Sequence, residues 1–330
     1  MLTVESFGSY GSYDGASIES KASSDHLLID TIDLAGSSPA LFAGRTKKGY
    51  TASNPKKPNQ DSFLMQYDSC TSTLIVACFD GHGQFGHDVS AYCKNYFESK
   101  LASHAYFANN LHRAIYETID ALEREMLAAP EIDTVFSGTT LTMIIVRGMK
   151  VTVVNVGDSR AIAGVQLMSQ AGSPIKVMPL SVDHKPELPA EEARICSSGG
   201  RVKMIHGCGR VYLATEEVPG LAMSRSLGDF VAHKAGVSSV PDVWDYNIGD
   251  LLAVCGGPGA GAVRLTLMVA TDGVFDMLSN EDAVVMAMNH WDQPGLAVDD
   301  IMSATEAMWR AKWNLVDDTS VCIVNIDHTI

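Results

Sequence analysis

Apolar, β-branched runs recur along this chain, and several of them stop at an aspartate; no other feature restricts the fold as much. The run "LIVACF", residues 74–79, carries no charge at either alternate position, so as a strand it is buried on both faces. It ends in "DGHG", residues 80–83, which places Asp80 where the chain leaves the core and follows it with Gly81 and the titratable His82. A carboxylate beside an uncovered glycine carbonyl suits a hard cation. Asp-Gly is equally a turn dipeptide, and Asp14-Gly15 shows another in a stretch without periodicity. Further strand-like runs are "SFLMQY", "TTLTMIIV", "KVTVVNVG", "RAIAGV", "IKVMPL", "RLTLMVAT" and "TSVCIVNI". Helical patterns fall in "GHDVSAYCKNYFESKLASH", "ANNLHRAIYETIDALEREMLAA", "PAEEARICSSGG", "NEDAVVMAMNHW" and "VDDIMSATEAMWRAKW". Strands lie next to strands and helices are grouped elsewhere, so the expected class is α+β, with antiparallel sheets packed together and helices outside, rather than a βαβ order.

Residues 1–40 are rich in Ser, Gly and acids and read as a flexible or loosely docked extension, with ordered sequence starting near Ala43 and a single domain over 41–330. Hydrophobic residues make up 46% of the chain, ample for a buried core. Its 24 basic and 39 acidic residues give a net charge of −15, which argues against a nucleic-acid backbone or an anionic membrane surface as the main partner. No apolar run reaches the roughly 20 residues of a membrane span, and residues 1–50 lack the plan of a signal peptide, so the expectation is a soluble monomer of the cytoplasm or nucleus. The cysteines at 70, 78, 93, 196, 208, 255 and 322 form no C-x-x-C pair, which supports neither a disulfide framework nor a zinc knuckle; Cys78, Cys255 and Cys322 read as buried thiols.

The aspartate grammar repeats. "NQD" places Asp61, "FDGHG" Asp80, "VGDSR" Asp158, "ATDGVFD" Asp272 and Asp276, and "DDTSV" Asp317 and Asp318, each at the edge of an apolar strand. Converging on one rim, Asp61, Asp80, Asp272 and Asp317 would form an all-oxygen cage that repels itself unless divalent cations occupy it. Such a donor set favours magnesium or manganese over zinc.

With "SGTT", "DHKP", "GGRV" and "LAMSRSLGD" between them, these segments stand in an order that resembles the type 2C metal-dependent serine/threonine protein phosphatases over about residues 45–328. The resemblance is to the plant and protist style, in which "NQD" replaces a Glu-Asp pair. It implies two antiparallel sheets face to face with helices on both outer sides, and phosphorylated proteins as substrates. It implies that Asp80 bridges two Mg2+ or Mn2+ ions, with the Gly81 carbonyl, Asp61, Asp272 and Asp317 completing their shells. It implies that His82 protonates the leaving oxygen and that Asp158 and Asp276 serve a third, weaker ion. The family register ranks Asp317 above Asp318. Gln60 stands where the animal pattern has a glutamate that contacts metal through water, and Lys56 stands at the phosphate-holding arginine, with Lys57 as a substitute.

A module of the same fold with a dead centre is the alternative, against which every principal aspartate and His82 are present; a hydrolase of small phosphate esters would share the centre. "FVAHKAGVSSV", residues 230–240, lies where the resemblance places a substrate-side flap and is short. "CGGPGAG", residues 255–261, reads as a hairpin loop between two strand-like runs, because no Lys-Ser or Lys-Thr follows to make a phosphate loop. His87 reads as a capping or surface histidine, His184 and Ser159-Arg160 as loop-positioning residues, Trp291, Trp309 and Trp313 as core, and Arg225 as a residue that could approach substrate.

Overall fold

A computed structural model describes residues 27–33, 39–168, 173–254 and 261–329. The first sheet is built from β1 (Leu27–Asp33), β2 (Pro39–Lys47), β8 (Arg160–Leu167), β9 (Lys176–Pro179), β15 (Ala262–Ala270) and β16 (Thr319–Thr329), in the order β1-β2-β16-β15-β8-β9. The second holds β4 (Thr73–His82), β5 (Gly138–Thr139), β6 (Leu141–Arg147), β7 (Lys150–Val156), β13 (Leu227–Gly228) and β14 (Asp242–Asn247), in the order β13-β5-β4-β6-β7-β14, with β3 (Asp61–Asp68) also paired to β4. A small third sheet joins β10 (Arg201–Ile205), β11 (Cys208–Tyr212) and β12 (Pro219–Leu221). The helices are α1 (Gly86–Lys100), α2 (Leu111–Ala128), α3 (Pro189–Ser197), α4 (Phe230–Lys234), α5 (Ile248–Ala253), α6 (Asp272–Phe275), α7 (Asn280–Asn289) and α8 (Pro294–Trp313).

Alternation along each strand explains the layers. In β4, Leu74, Val76 and Cys78 enter the core between the two large sheets, while Ile75, Ala77 and Phe79 face α1 and α2. In β15, Val263, Leu265, Leu267 and Val269 enter the same inter-sheet core, and Met268 and Ala270 pack toward α7 and α8. Strands covered on both faces need apolar residues at every position, which is why these runs look continuous rather than alternating in the sequence. Each fully buried Val, Leu or Ile contributes about 1.5–3 kcal/mol. The result is helix, sheet, sheet, helix, with strand pairings antiparallel as expected.

Several expectations need correction. Part of the segment read as an extension forms the edge strand β1, paired to β2 through Leu27–Arg45 to Asp33–Pro39. Trp291 and Trp309 are buried, but Trp313, at the last turn of α8, is 57% exposed. The run before "CGGPGAG" is not a strand but α5; residues 255–260, with Cys255, lie outside the described residues. Within the stretch read as a flap, residues 230–234 form α4. No helix among the described residues is long and apolar enough to cross a membrane.

Arg225 holds loops together. Its guanidinium bonds Glu191 Oε1 and Asp242 Oδ1 at 2.8 Å each, and His184 Nε2 lies 3.1 Å from Asp242 Oδ2. Burial alone would raise the Glu191 carboxyl, but bonds from Arg225, Ser224 and Arg194 outweigh it and bring it down to about 2. Its contribution to stability is therefore present above the unfolded value of 4.5 and is lost as pH falls through about 2. Arg225→Met leaves Glu191 buried without its main partner and is expected to cost about 3 kcal/mol at neutral pH. Urea unfolding should show that loss shrinking below pH 4.5, and an equal loss at pH 7 and pH 3 would contradict the assignment.

Candidate active site

Both large sheets deliver aspartates to one rim. Asp61, first in β3, pairs in register with Asp80 near the end of β4. Asp158 stands two residues after β7 ends, Asp272 opens α6 two residues after β15 ends, and Asp317 precedes β16 by two. Hydrogen bonds stitch these ends together. Thr140 N donates to Asp80 O at 2.9 Å, Thr140 Oγ1 meets Ser159 Oγ at 2.8 Å, and Thr271 Oγ1 donates to Asp61 Oδ2 at 2.9 Å. Gly81 makes close approach possible, because a Cβ there would lie 2.2 Å from Gly86 O and 2.4 Å from Gln60 O.

The carboxylates feel one another. Burial first, then Asp318, pushes Asp61 up to about 8. Burial and then Asp272, Asp61 and Asp317 hold Asp80 well above the usual carboxylate range, and burial followed by Asp158, Asp317 and Asp276 does the same to Asp272. Burial also raises Asp317, against the opposing pull of Lys57. Asp61 Oδ1 and Asp158 Oδ1 are buried with no hydrogen-bond partner. As the side chains stand, no three His, Cys, Asp or Glu among the described residues close around a point where an ion would sit. Buried carboxylates that raise one another, with orphaned oxygens and no nitrogen or sulfur donor among them, nevertheless make a donor set that fits a hard divalent cation.

Neighbouring aspartates divide their work. Asp318 Oδ1 accepts from Gly49 N at 2.6 Å and Oδ2 from Gln60 N at 2.9 Å, so it clips the β2–β3 connection to β16. Asp317 is left for the cluster, its Oδ1 3.7 Å from Lys57 Nζ. Asp158 is bonded by Lys185 Nζ at 2.6 Å, which places an ammonium against this carboxylate; Asp276 lies exposed at the rim. Of the two lysines, Lys56 is exposed and makes no ion pair among the described residues, whereas Lys57 reaches Asp318 at 3.0 Å and Asp317 at 3.7 Å. Lys57 is thus the cation at the cluster.

His82 is 20% exposed, and its Nε2 lies 2.5 Å from Asp229 Oδ2. Burial pulls the imidazole pKa down, but the charge and hydrogen bond of Asp229 outweigh it and leave it raised. Asp229 is a residue the sequence reading quoted but gave no role. It adopts φ +50 at the start of α4, accepts from Ser226 Oγ at 2.6 Å, and fits because Gly138 has no Cβ, which would lie 2.2 Å from Asp229 Oδ2. Its one signal was the closing Asp of "LAMSRSLGD", distant in sequence from His82.

The side chain of Gln60 is committed as well: Nε2 donates to Gly83 O at 2.7 Å. A glutamate there would lose that bond and set a charge against a carbonyl. Gln60→Glu is therefore expected to cost about 1–2 kcal/mol in the presence of a chelator, with part of the loss recovered on adding manganese. Unchanged thermal unfolding in chelator would show that the amide is not an anchor.

Comparison with known proteins bears on the family and the fold. A family model described as "Protein phosphatase 2C" matches residues 56–310. The chain is 33% identical to "Probable protein phosphatase 2C 12" of Oryza sativa subsp. japonica, covering 88% of this chain and 82% of that one. It is also 33% identical to "Probable protein phosphatase 2C 72" of Arabidopsis thaliana, covering 80% and 81%. The crystal structure of a serine-threonine phosphatase 2C from Toxoplasma gondii superposes with a TM-score of 0.72 at 20% identity, over 91% of this chain and 99% of that one, and so shares the fold.

Proposed function

The chain belongs to the protein phosphatase 2C family and is a protein serine/threonine phosphatase; from that premise we propose that it works at two divalent cations, with no phosphorylated enzyme intermediate. The family is metal-dependent, with magnesium or manganese. The observation that carries the reading is the convergence of Asp61, Asp80 and Asp272 from both sheets at one rim, each raised by burial and by acids of the cluster around it. Asp80, Asp61, Asp272, Asp317 and the Gly81 carbonyl are the groups that would hold the cations. Bound cations of this kind supply a water nucleophile that is activated near neutral pH.

The chain's own residues do the rest. Lys57 offers a point charge to the phosphoryl group, without the bidentate fork of an arginine, and so orients it less rigidly. His82 donates a proton to the departing serine or threonine oxygen, because an alkoxide leaves poorly. Asp229 takes Nε2, fixing the imidazole and favouring its protonated form. Lys185 already neutralises Asp158, so a third ion at Asp158 and Asp276 must compete with an ammonium and binds weakly. Neither a dead centre nor a small-ester hydrolase gains support from any residue at the rim.

Leaving-group dependence tests this. His82→Ala is expected to slow hydrolysis of a phosphothreonine peptide by about 10² to 10⁴ while sparing an activated aryl phosphate, whose oxygen leaves without a proton. Asp229→Asn should show the same asymmetry to a smaller degree. Equal losses on both substrates at saturating manganese would remove the proton-donor role, and phosphopeptide turnover that survives thorough chelation would remove the cations.

A further inference from the structure

The strands that carry the catalytic rim have a second chemical feature at their other end. β6 and β7 pair from Leu141–Val156 at the rim to Arg147–Lys150 at the far turn. Beside that turn lies a cavity of about 160 Å³, with Ile145 and Thr152 buried at its floor and the exposed Asn109 at its mouth. Arg147 and Lys150 line it, together with Ala108 and Leu111, and no acidic side chain does.

Arg147 is only partly used by the protein. Its Nε donates to Thr73 Oγ1 at 2.6 Å and its Nη1 to Phe107 O at 3.0 Å, with the Phe107 ring 4.6 Å beneath the guanidinium. Its Nη2 is buried and has no partner. Arg147 forms no ion pair among the described residues; Asp68 acts on it electrostatically, but that carboxylate accepts from Thr71 N at 2.9 Å. An unsatisfied buried donor on a charged group is costly, and an anion relieves it. Lys150 provides a second cation. The acid beside it, Asp245, is already held by Lys150 at 2.8 Å, Thr152 Oγ1 at 2.7 Å and His112 Nε2 at 2.9 Å.

At roughly 30 Å³ per water the cavity has room for about five waters, or for one tetrahedral oxyanion with its remaining hydration. On a chain of net charge −15, a cavity lined by Arg147 and Lys150, whose one neighbouring acid Asp245 is paired with Lys150 and lies outside the lining, is not a consequence of composition. We propose that this cavity is a binding site for a small oxyanion with the size and charge of inorganic phosphate, held by the Arg147 guanidinium and the Lys150 ammonium with Asn109 at the entrance, separate from the catalytic rim.

Full-length, magnesium-loaded protein titrated with inorganic phosphate tests this by NMR, following the Ile145 methyl and the Asn109 and Thr152 amides, against sodium chloride at matched ionic strength. Saturable shifts at these residues with phosphate alone are expected. Lys150→Gln and Asn109→Asp, both at exposed side chains outside the catalytic rim, should each weaken binding about tenfold, whereas Arg147 also supports the Phe107 loop and its replacement risks the fold. Parallel titration with methylphosphonate tells a free ion from an esterified phosphoryl head: a comparable affinity admits the head, and a much weaker one restricts the site to the free ion. Identical shifts with chloride, shifts confined to the residues around Asp80, or titrations unchanged in both variants would overturn the proposal.

Discussion

Buried carboxylates that repel one another are the constraint on which this structure depends. Asp61, Asp80 and Asp272 each lose solvation and each sit in the field of other acids, so burial and like charge both act against their ionised forms. Two sheets with both faces covered hold the strand ends where they are, and the side chains cannot relax apart without breaking the inter-sheet core of Val76, Cys78, Val269 and Cys322. The energy of that core is what makes the arrangement affordable, and a divalent cation bound there would make it favourable.

The same logic runs through the residues around the cluster. Asp318 spends both oxygens on backbone amides and frees Asp317. Lys57 balances the pair from one side, and Lys185 balances Asp158 from another. His82 depends on Asp229, which itself depends on Gly138 for room. Each functional group at the rim has a supporting partner that is distant in sequence, so a substitution in the supporting set acts on chemistry through position.

Much of this was legible in the sequence because strands that end in aspartate carry both signals at once: the apolar run gives the element and its edge gives the charge. β4 and β15 were read close to their observed bounds for that reason, and the grouping of helices gave the layer order. Contacts between distant segments were not legible. The His82–Asp229 pair spans 147 residues, and nothing local marks it. Lys56 and Lys57 are adjacent in a loop, and only the backbone path decides which one turns inward. β1 was hidden by the polar segment around it, and Trp313 was read as core from its spacing to Trp309, although the helix ends there and leaves it exposed.

Thermal unfolding of the full-length protein in chelator and in rising manganese, compared with Asp80→Asn, measures the repulsion directly. Cations that relieve the cluster should raise the unfolding midpoint of the wild type by several degrees at about 100-fold excess over the dissociation constant. Asp80→Asn, with one fewer buried charge, should be more stable than the wild type in chelator and gain little from manganese. A wild-type midpoint that does not respond to manganese, or an Asp80→Asn protein less stable than the wild type in chelator, would contradict the account.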